Sequence, residues 1–278
     1  MKNASSFVFI KIQKEMMDLV FGEIKELMDE RAHLYNQKAF ISNDPISIPH
    51  QFEMKEDIEI SGFLTATISW GQRTSIIRTA NELMDRMDRA PFDFIINHDD
   101  EERNDFKDFV YRTFNGVDMV FYLKSLQNIY KNKGGIHAIF SANHSFADTN
   151  LEHGIRAFRK VFFELEHEHR TEKHFSDISK NSAAKRMNMF LRWMVRADDK
   201  GVDFGLWKDL NASQLLCPLD THSGRVARAF GLLERKQNDW QAVIELTENL
   251  KKMDSQDPVK YDFALFGMGV NEEALPIA

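Results

Sequence analysis

Apolar side chains recur at helical spacing along most of this 278-residue chain, and this periodicity constrains its fold more than any other feature. Only 6 prolines and 13 glycines interrupt the pattern, and no extended β-branched alternation accompanies it. Because 43% of the residues are apolar, the chain can build a sizeable core as one large domain or as two helical lobes. We therefore predict an all-α protein.

Caps and breakers divide this pattern into predicted helices. The first covers residues 11–35, and Pro45 and Pro49 then impose an extended turn. Further helices are predicted after a cap at Asp57, over 76–87, over 149–169, after a cap at Ser182, after Asp220 or Thr221, over 237–250, and after Asp257 with Pro258 at its first position. The Phe- and Tyr-rich stretch 105–130 is predicted to be aromatic core, and 132–144 a loop.

Composition excludes several classes of protein. No apolar run approaches the length that a bilayer requires, and the apolar burst at residues 7–10 is too short for a secretory signal, so we expect a cytoplasmic protein without a membrane partner. The single cysteine, Cys217, cannot form an internal disulfide or a thiolate metal site and is expected to be a small buried hydrophobe. The net charge of −7 argues against indiscriminate binding to polyanions but permits a local basic face.

One histidine-rich stretch has the composition of a metal site. His153, Glu164, His167 and His169 lie within or just after the helix predicted over 149–169. However, His167 and His169 are two positions apart and cannot share a helix face. A metal site and a solvated helix end both remain open, and we favour the helix end; no metal is expected.

The helix after Ser182 has two faces of different character. Met187, Phe190, Leu191 and Met194 form its apolar stripe, whereas Lys185, Arg192 and Arg196 share another side. Lys185 falls in the first turn, where the helix dipole disfavours an ammonium ion and so favours the neutral, nucleophilic amine. The cationic face is either an ordinary solvated surface or part of a functional site.

The stretch LLCPLDTHSGRVARAFGLL, residues 215–233, places an acid and a histidine between two apolar arms. Asp220 is first of all a plausible N-cap, because its carboxylate can accept hydrogen bonds from the free amides of a following helix. The apolar LLCPL segment before it is predicted to be buried and so to hold Asp220 at one fixed position. We interpret His222, one turn further on, as a buried hydrogen-bonding residue that supports this approach.

The order of these features resembles a known superfamily. The chain is similar here to the helix-hairpin-helix DNA glycosylases of the endonuclease III and 8-oxoguanine glycosylase superfamily. The similarity lies in the order of three features: a lysine at a helix start, then PLDTH followed by R-V-x-R-x-x-GL, then DPVKYDFALFGMG. The segment EISGFLTATISWGQRTSIIRTANELM resembles the early helix, loop and helix of that superfamily. Over nearly its whole length, including DPISIPHQF and RMNMFLRWMVR, the chain also resembles a bacterial family catalogued only as a domain of unknown function.

The resemblance implies a two-lobed helix-hairpin-helix DNA-glycosylase-like fold with a cleft between the lobes. Residues 1–56 would pack with the C-terminal lobe, 57–199 would form a central bundle ending in the hairpin helix, and 200–278 would form the lobe that carries the aspartate. Lys185 would attack the sugar of a flipped nucleotide and form a Schiff base, assisted by Asp220. Gln72 would fill the gap left by the base.

Further DNA contacts are expected on the same scaffold. They would come from Arg73, Asn181, Ser182, Arg192, Arg196, Arg225 and Arg228. Trp70, Trp193 and Trp207 are either candidates for stacking on the flipped base or core residues. The chain departs from the family in its hairpin, which reads SKNSAAKRMN without glycines, in the insert at 197–213, and in the absence of cluster cysteines, so no cofactor is expected.

The sequence thus predicts a base-excision-repair-type DNA N-glycosylase with abasic-site (AP) β-lyase activity on a damaged base, such as an oxidised purine, in double-stranded DNA. We expect a monomer. Two alternatives remain open: a non-catalytic DNA- or protein-binding module on the same scaffold, and an enzyme that uses Asp220 on another nucleoside-like substrate without Lys185 as nucleophile.

Overall fold

The computed structural model describes residues 21–271. Its α-helices are α1 (residues 21–35), α2 (Lys38–Ile41), α3 (Lys55–Ile68), α4 (Arg73–Asp85), α5 (Pro91–Asn97), α6 (Asp100–Asn104), α7 (Gly116–Asn132), α8 (Gly135–Ala142), α9 (Glu152–Phe162), α10 (Lys185–Val195), α11 (Thr221–Ala229), α12 (Trp240–Met253) and α13 (Tyr261–Asn271). Short 3-10 helices cover Pro45–Ser47, Pro49–Gln51, His169–His174, Ile178–Lys180, Ala212–Gln214 and Pro258–Lys260. β1 (Val110–Tyr111) and β2 (Phe114–Asn115) form an antiparallel pair in which Val110 faces Asn115 and Tyr111 faces Phe114. The all-α prediction is confirmed.

The core is built around α3, which is buried continuously from Ile58 to Ile68. A helix buried on every side has mostly apolar or small residues all round, as this one has apart from Glu59. Its Phe63 packs edge-on against Phe158, Phe162 and Phe190, with ring centroids 5.3–5.7 Å apart. The prediction of an aromatic core is confirmed for stretch 105–130, because Phe106, Phe114, Tyr122 and their neighbours are buried.

Three local predictions are wrong. Asp57 does not cap α3, which begins at Lys55; its carboxylate accepts a hydrogen bond from Phe92 N (2.8 Å) and so caps α5 instead. The predicted loop 132–144 contains α8, whose Ile136, Ile139 and Phe140 are buried at helical spacing. The helix predicted over 149–169 covers only Glu152–Phe162, and Glu164 beyond it pairs with Lys133 at 3.0 Å.

The insert at residues 197–213 folds back along the end of α10. Phe204 N donates to Trp193 O (2.8 Å), and Trp207 N donates to Met194 O (3.0 Å). The indole of Trp207 also donates to the buried Glu59 of α3, at 2.7 Å. The insert therefore ties α10 to the central helix.

The N-terminal helix contacts the C-terminal one. Tyr261 on α13 donates its hydroxyl to Asp29 on α1 (2.8 Å), and the backbone of Gly267 lies against the ring of Tyr35. The part of the first predicted helix before residue 21, and the proposed absence of a signal peptide, lie outside the described residues. The boundaries of the predicted lobes stay predictions. Among residues 21–271, no helix combines the length and apolar character that crossing a membrane requires.

Candidate functional site

The stretch before Asp220 is a buried approach to the start of α11. Residues 215–219 are all buried, and Asp220 then lies in extended conformation at the N-cap. Its Oδ1 accepts hydrogen bonds from His222 N (2.8 Å) and Ser223 N (3.0 Å), and Ser223 Oγ accepts one from Asp220 N (2.9 Å). This capping box confirms the predicted N-cap and holds the carboxylate in one orientation.

Lys185 is the first residue of α10, and the turn before it is made without glycine. Asn181 (φ 62°) and Ala184 (φ 47°) both adopt the left-handed conformation. For Ala184 this costs about 1 kcal/mol, because its Cβ crowds the backbone there. Ser182 is not the N-cap as predicted; its hydroxyl accepts from Ala184 N (3.3 Å), while Ala184 occupies the cap without a side-chain bond to the helix.

The structure brings the two predicted catalytic residues together. Lys185 Nζ lies 4.0 Å from Asp220 Oδ2, and both side chains are a little over a quarter exposed, at 28% and 27%. The amine also lies 3.3 Å from Met189 Sδ. Because the cap uses Oδ1, Oδ2 is left to face Lys185 and the open space beside it.

That open space is a cleft of about 630 Å³, which is within the size range of small-molecule and cofactor sites. Lys185, Asp220 and Trp70 line it together with Arg73 and Phe266. The Arg73 guanidinium lies over the Phe266 ring, 4.6 Å from its centre. Trp70 is half-buried, and its ring stacks with that of His174, with centroids 6.1 Å apart.

Asp44 and Arg186 are among the lining residues that were not predicted from sequence. Asp44 is buried, and its Oδ1 accepts a hydrogen bond from Ile46 N (3.1 Å); burial raises the pKa of this carboxyl. Arg186 lies over Trp70 at 4.9 Å and donates to His174 O (3.0 Å). The Asp-Pro pair at 44 and 45 indicates a turn in the sequence, but no local signal places it in this cleft.

Arg192 and Arg196 are buried, so the predicted cationic face is wrong for both. Their exposures are 4% and 2%. Asp203 of the insert lies 3.1 Å from each guanidinium, Arg192 also pairs with Asp262, and Arg196 also pairs with Asp257 at 2.9 Å. Since these carboxylates already satisfy them, the two arginines are not phosphate contacts.

The remaining predicted DNA contacts lie around the cleft and the hairpin. Gln72 is exposed between two residues that line the cleft, Gly71 and Arg73. Asn181 is exposed and donates to Asp239 Oδ2 (3.0 Å), and Ser182 forms an isolated β-bridge with Asp239. These bonds fix the hairpin turn to the start of α12.

Of the other predicted residues of α11, His222 lines the cleft, whereas Arg225 and Arg228 do not. His222 is exposed rather than buried, and its Nδ1 lies 3.1 Å from Gly269 O. Arg225 donates to the same carbonyl (3.1 Å), and Arg228 donates to Asn238 Oδ1 (2.7 Å). His222 therefore supports the contact between α11 and α13, not the LLCPL approach.

Two of the three tryptophans are core residues. Trp193 and Trp207 have no exposed surface, which leaves Trp70 as the stacking candidate of this set. Cys217 is completely buried, as predicted, and burial raises the pKa of its thiol.

The histidines of the histidine-rich stretch lie close to carboxylates. His169 Nδ1 lies 3.0 Å and His167 Nε2 3.6 Å from Glu172, while His153 lies near Asp148 instead. Within residues 21–271, no group of three or more His, Cys, Asp or Glu side chains is arranged to hold a metal ion.

A family model matches residues 44–271, which include Asp44, the hairpin, Lys185 and Asp220. No curated protein and no solved structure matches the chain. The matched range covers the central helix, the cleft and every candidate site residue. The chain therefore belongs to the family described as protein of unknown function (DUF2400).

Proposed function

We propose that this chain is a DNA N-glycosylase with AP (β-) lyase activity, which acts on a damaged base such as an oxidised purine in double-stranded DNA. The observation that carries the proposal is the approach of Lys185 Nζ to within 4.0 Å of Asp220 Oδ2 at the edge of an open cleft. An amine beside a fixed carboxylate is the arrangement that covalent cleavage of an N-glycosidic bond requires.

In the proposed reaction, the bond from C1′ to the base breaks first, and the base leaves with the bonding electrons. The sugar then carries developing positive charge, which the Asp220 carboxylate stabilises more in the transition state than in the neutral ground state. The neutral Lys185 amine attacks C1′, and Asp220 takes the proton that the new ammonium releases. The nitrogen lone pair then forms the C=N bond as the C1′–O4′ bond breaks, and Asp220 returns its proton to O4′. This gives the protonated Schiff base from which β-elimination follows.

The surroundings supply what a flipped base needs. Trp70 lines the cleft in which a flipped base would lie, and Gln72, exposed two positions further along the chain, is available to enter the gap in the duplex. The left-handed residues Asn181 and Ala184 give the hairpin a tight turn without glycine, and the amides at the start of α10, which have no side-chain cap, would bind a phosphate. The proposal includes a two-lobed glycosylase-like arrangement, a monomer, and a location in the bacterial cytosol with the nucleoid.

Borohydride trapping on a panel of damaged duplexes tests the proposal. Wild-type protein is expected to give a covalent adduct on at least one lesion, whereas Lys185→Ala and Lys185→Arg are expected to give none. The control Lys124→Ala, at an exposed lysine, is expected to give the same yield of adduct as wild type. An adduct that survives Lys185→Ala would overturn Lys185 as the nucleophile, and no adduct on any lesion would overturn the lyase activity.

One observation favours the non-catalytic alternative. At 4.0 Å the Lys185 amine is beyond hydrogen-bond distance of Asp220, and its 3.3 Å neighbour is the weakly accepting sulfur of Met189. Salt-dependent binding to DNA with neither base release nor an adduct on any lesion would identify a binding module. Base release that survives Lys185→Ala but is lost in Asp220→Asn would instead identify an enzyme that works without the lysine nucleophile.

A further inference from the structure

A second groove, next to the cleft, has a strongly cationic lining. This basic groove has a volume of about 560 Å³ and is lined by the cationic side chains Arg159, Arg170, Lys173, Lys180 and Arg186. Its acidic lining residues are Glu172 and Asp177. Arg186 also lines the cleft that holds Lys185, so the groove and the cleft adjoin at the hairpin helix.

Internal pairing accounts for the two acids of the groove. Arg159 donates to Glu172 Oε2 at 2.9 Å and lies 3.8 Å from Asp177 Oδ2. Hydrogen bonding to Arg159 holds the pKa of Glu172 at about 2, so this carboxylate stays ionised and paired at neutral pH. The lysines are therefore left to face solvent.

Lys173 and Lys180 are the available charges. Lys173 is exposed and has no ion-pair partner among the described residues. The Lys180 side chain is 72% exposed and lies no closer than 3.9 Å to Asp177. The groove lining carries five cationic side chains against two acidic ones. This local excess of positive charge, in a chain with net charge −7, favours a polyanionic ligand at that place rather than over the whole protein.

We propose that the basic groove binds the phosphodiester backbone of the DNA that flanks the flipped nucleotide, with Lys173 and Lys180 contacting phosphates. This inference rests on the proposed function for the identity of the polyanion. The supporting observation is the shared residue: Arg186 stacks on Trp70 at one side and lines the groove at the other, so a strand that enters the cleft continues past the lysines. Backbone contacts of this kind carry no base specificity.

Salt dependence of binding tests the groove. We would measure the affinity of full-length protein for a duplex that contains a tetrahydrofuran abasic analogue, between 50 and 200 mM salt. Each lost phosphate contact reduces the slope of log affinity against log salt by about 0.9. Lys173→Ala/Lys180→Ala is therefore expected to reduce the slope by about 2, whereas Lys208→Ala/Lys252→Ala, which removes two exposed lysines outside both lining sets, leaves it unchanged.

The proposal would be overturned if Lys173→Ala/Lys180→Ala left the slope unchanged, or if Lys208→Ala/Lys252→Ala reduced it equally. It would also be overturned if the affinity of the wild-type protein for the duplex did not depend on salt. Borohydride trapping with saturating DNA at low salt separates this outcome from failure of the proposed function. If wild-type protein gives no adduct but the groove variant still loses slope, the glycosylase proposal fails and the groove remains a DNA-binding surface. If the wild type gives an adduct while both double variants keep its slope, only the groove proposal fails.

Discussion

Asp220 has two roles that substitution can separate. One carboxylate oxygen, Oδ1, caps α11 through the amides of His222 and Ser223, and the other, Oδ2, faces Lys185 at 4.0 Å. Asp220→Asn keeps an oxygen that can cap the helix but removes the charge. Asp220→Ala removes both, so the two variants should differ in stability and agree in activity.

The expected sizes follow from these contacts. Loss of the cap in Asp220→Ala costs about 1 kcal/mol, with an upper limit of about 2 kcal/mol, because two amides lose their acceptor. The ion pair with Lys185 adds only about 0–1 kcal/mol, since both side chains are more than a quarter exposed. Asp220→Asn should therefore unfold within about 1 kcal/mol of wild type, because asparagine caps helices as well as aspartate does.

Urea unfolding gives the stabilities, and single-turnover base release on a lesion found by trapping gives the activities. Both variants are expected to lose at least about 100-fold in rate, as removal of a group that stabilises transition-state charge does elsewhere. A wild-type rate in Asp220→Asn would refute the catalytic role. Equal destabilisation by Asn and Ala would refute the capping argument.

Two further predictions concern the interior. Arg192→Met should destabilise the fold by about 3–5 kcal/mol in urea, because it leaves Asp262 buried without its partner and leaves Asp203 with Arg196 alone. Arg78→Met, whose side chain is 74% exposed, should cost no more than about 1 kcal/mol, and equal losses would contradict this. Burial lowers the pKa of His174 from 6.5 to about 4, so between these values the unfolded chain binds a proton that the folded chain does not, and stability is lost as the pH falls. Unfolding free energies measured from pH 7 to pH 4 should fall by up to about 3 kcal/mol from this residue, and His174→Gln should flatten that slope; an unchanged slope would show that His174 is not the source.

The features that sequence reasoning predicted correctly depend on neighbours along the chain. Asp220 caps α11 because its partners are two and three positions away, and Cys217 is buried because apolar residues surround it. The proximity of Lys185 and Asp220 could be predicted only from the resemblance to a superfamily, since no feature of the local sequence links the two positions.

The predictions that failed depend on partners from other parts of the chain. Arg192 occupies the polar side of an amphipathic helix, yet Asp203 from the insert and Asp262 from α13 cover it. Asp57 precedes an apolar run and so was predicted to cap α3, but its carboxylate accepts a hydrogen bond from the backbone amide of Phe92 instead. Long-range pairing of this kind leaves no periodic signal in the sequence.

Identification of the lysine that forms the covalent adduct tests the central claim most directly. After borohydride reduction on a damaged duplex and nuclease and protease digestion, mass spectrometry should find the reduced sugar remnant on the peptide that contains Lys185, attached to its Nζ. A remnant on any other amine, or no remnant on any lesion, would contradict the assignment of Lys185 as the nucleophile.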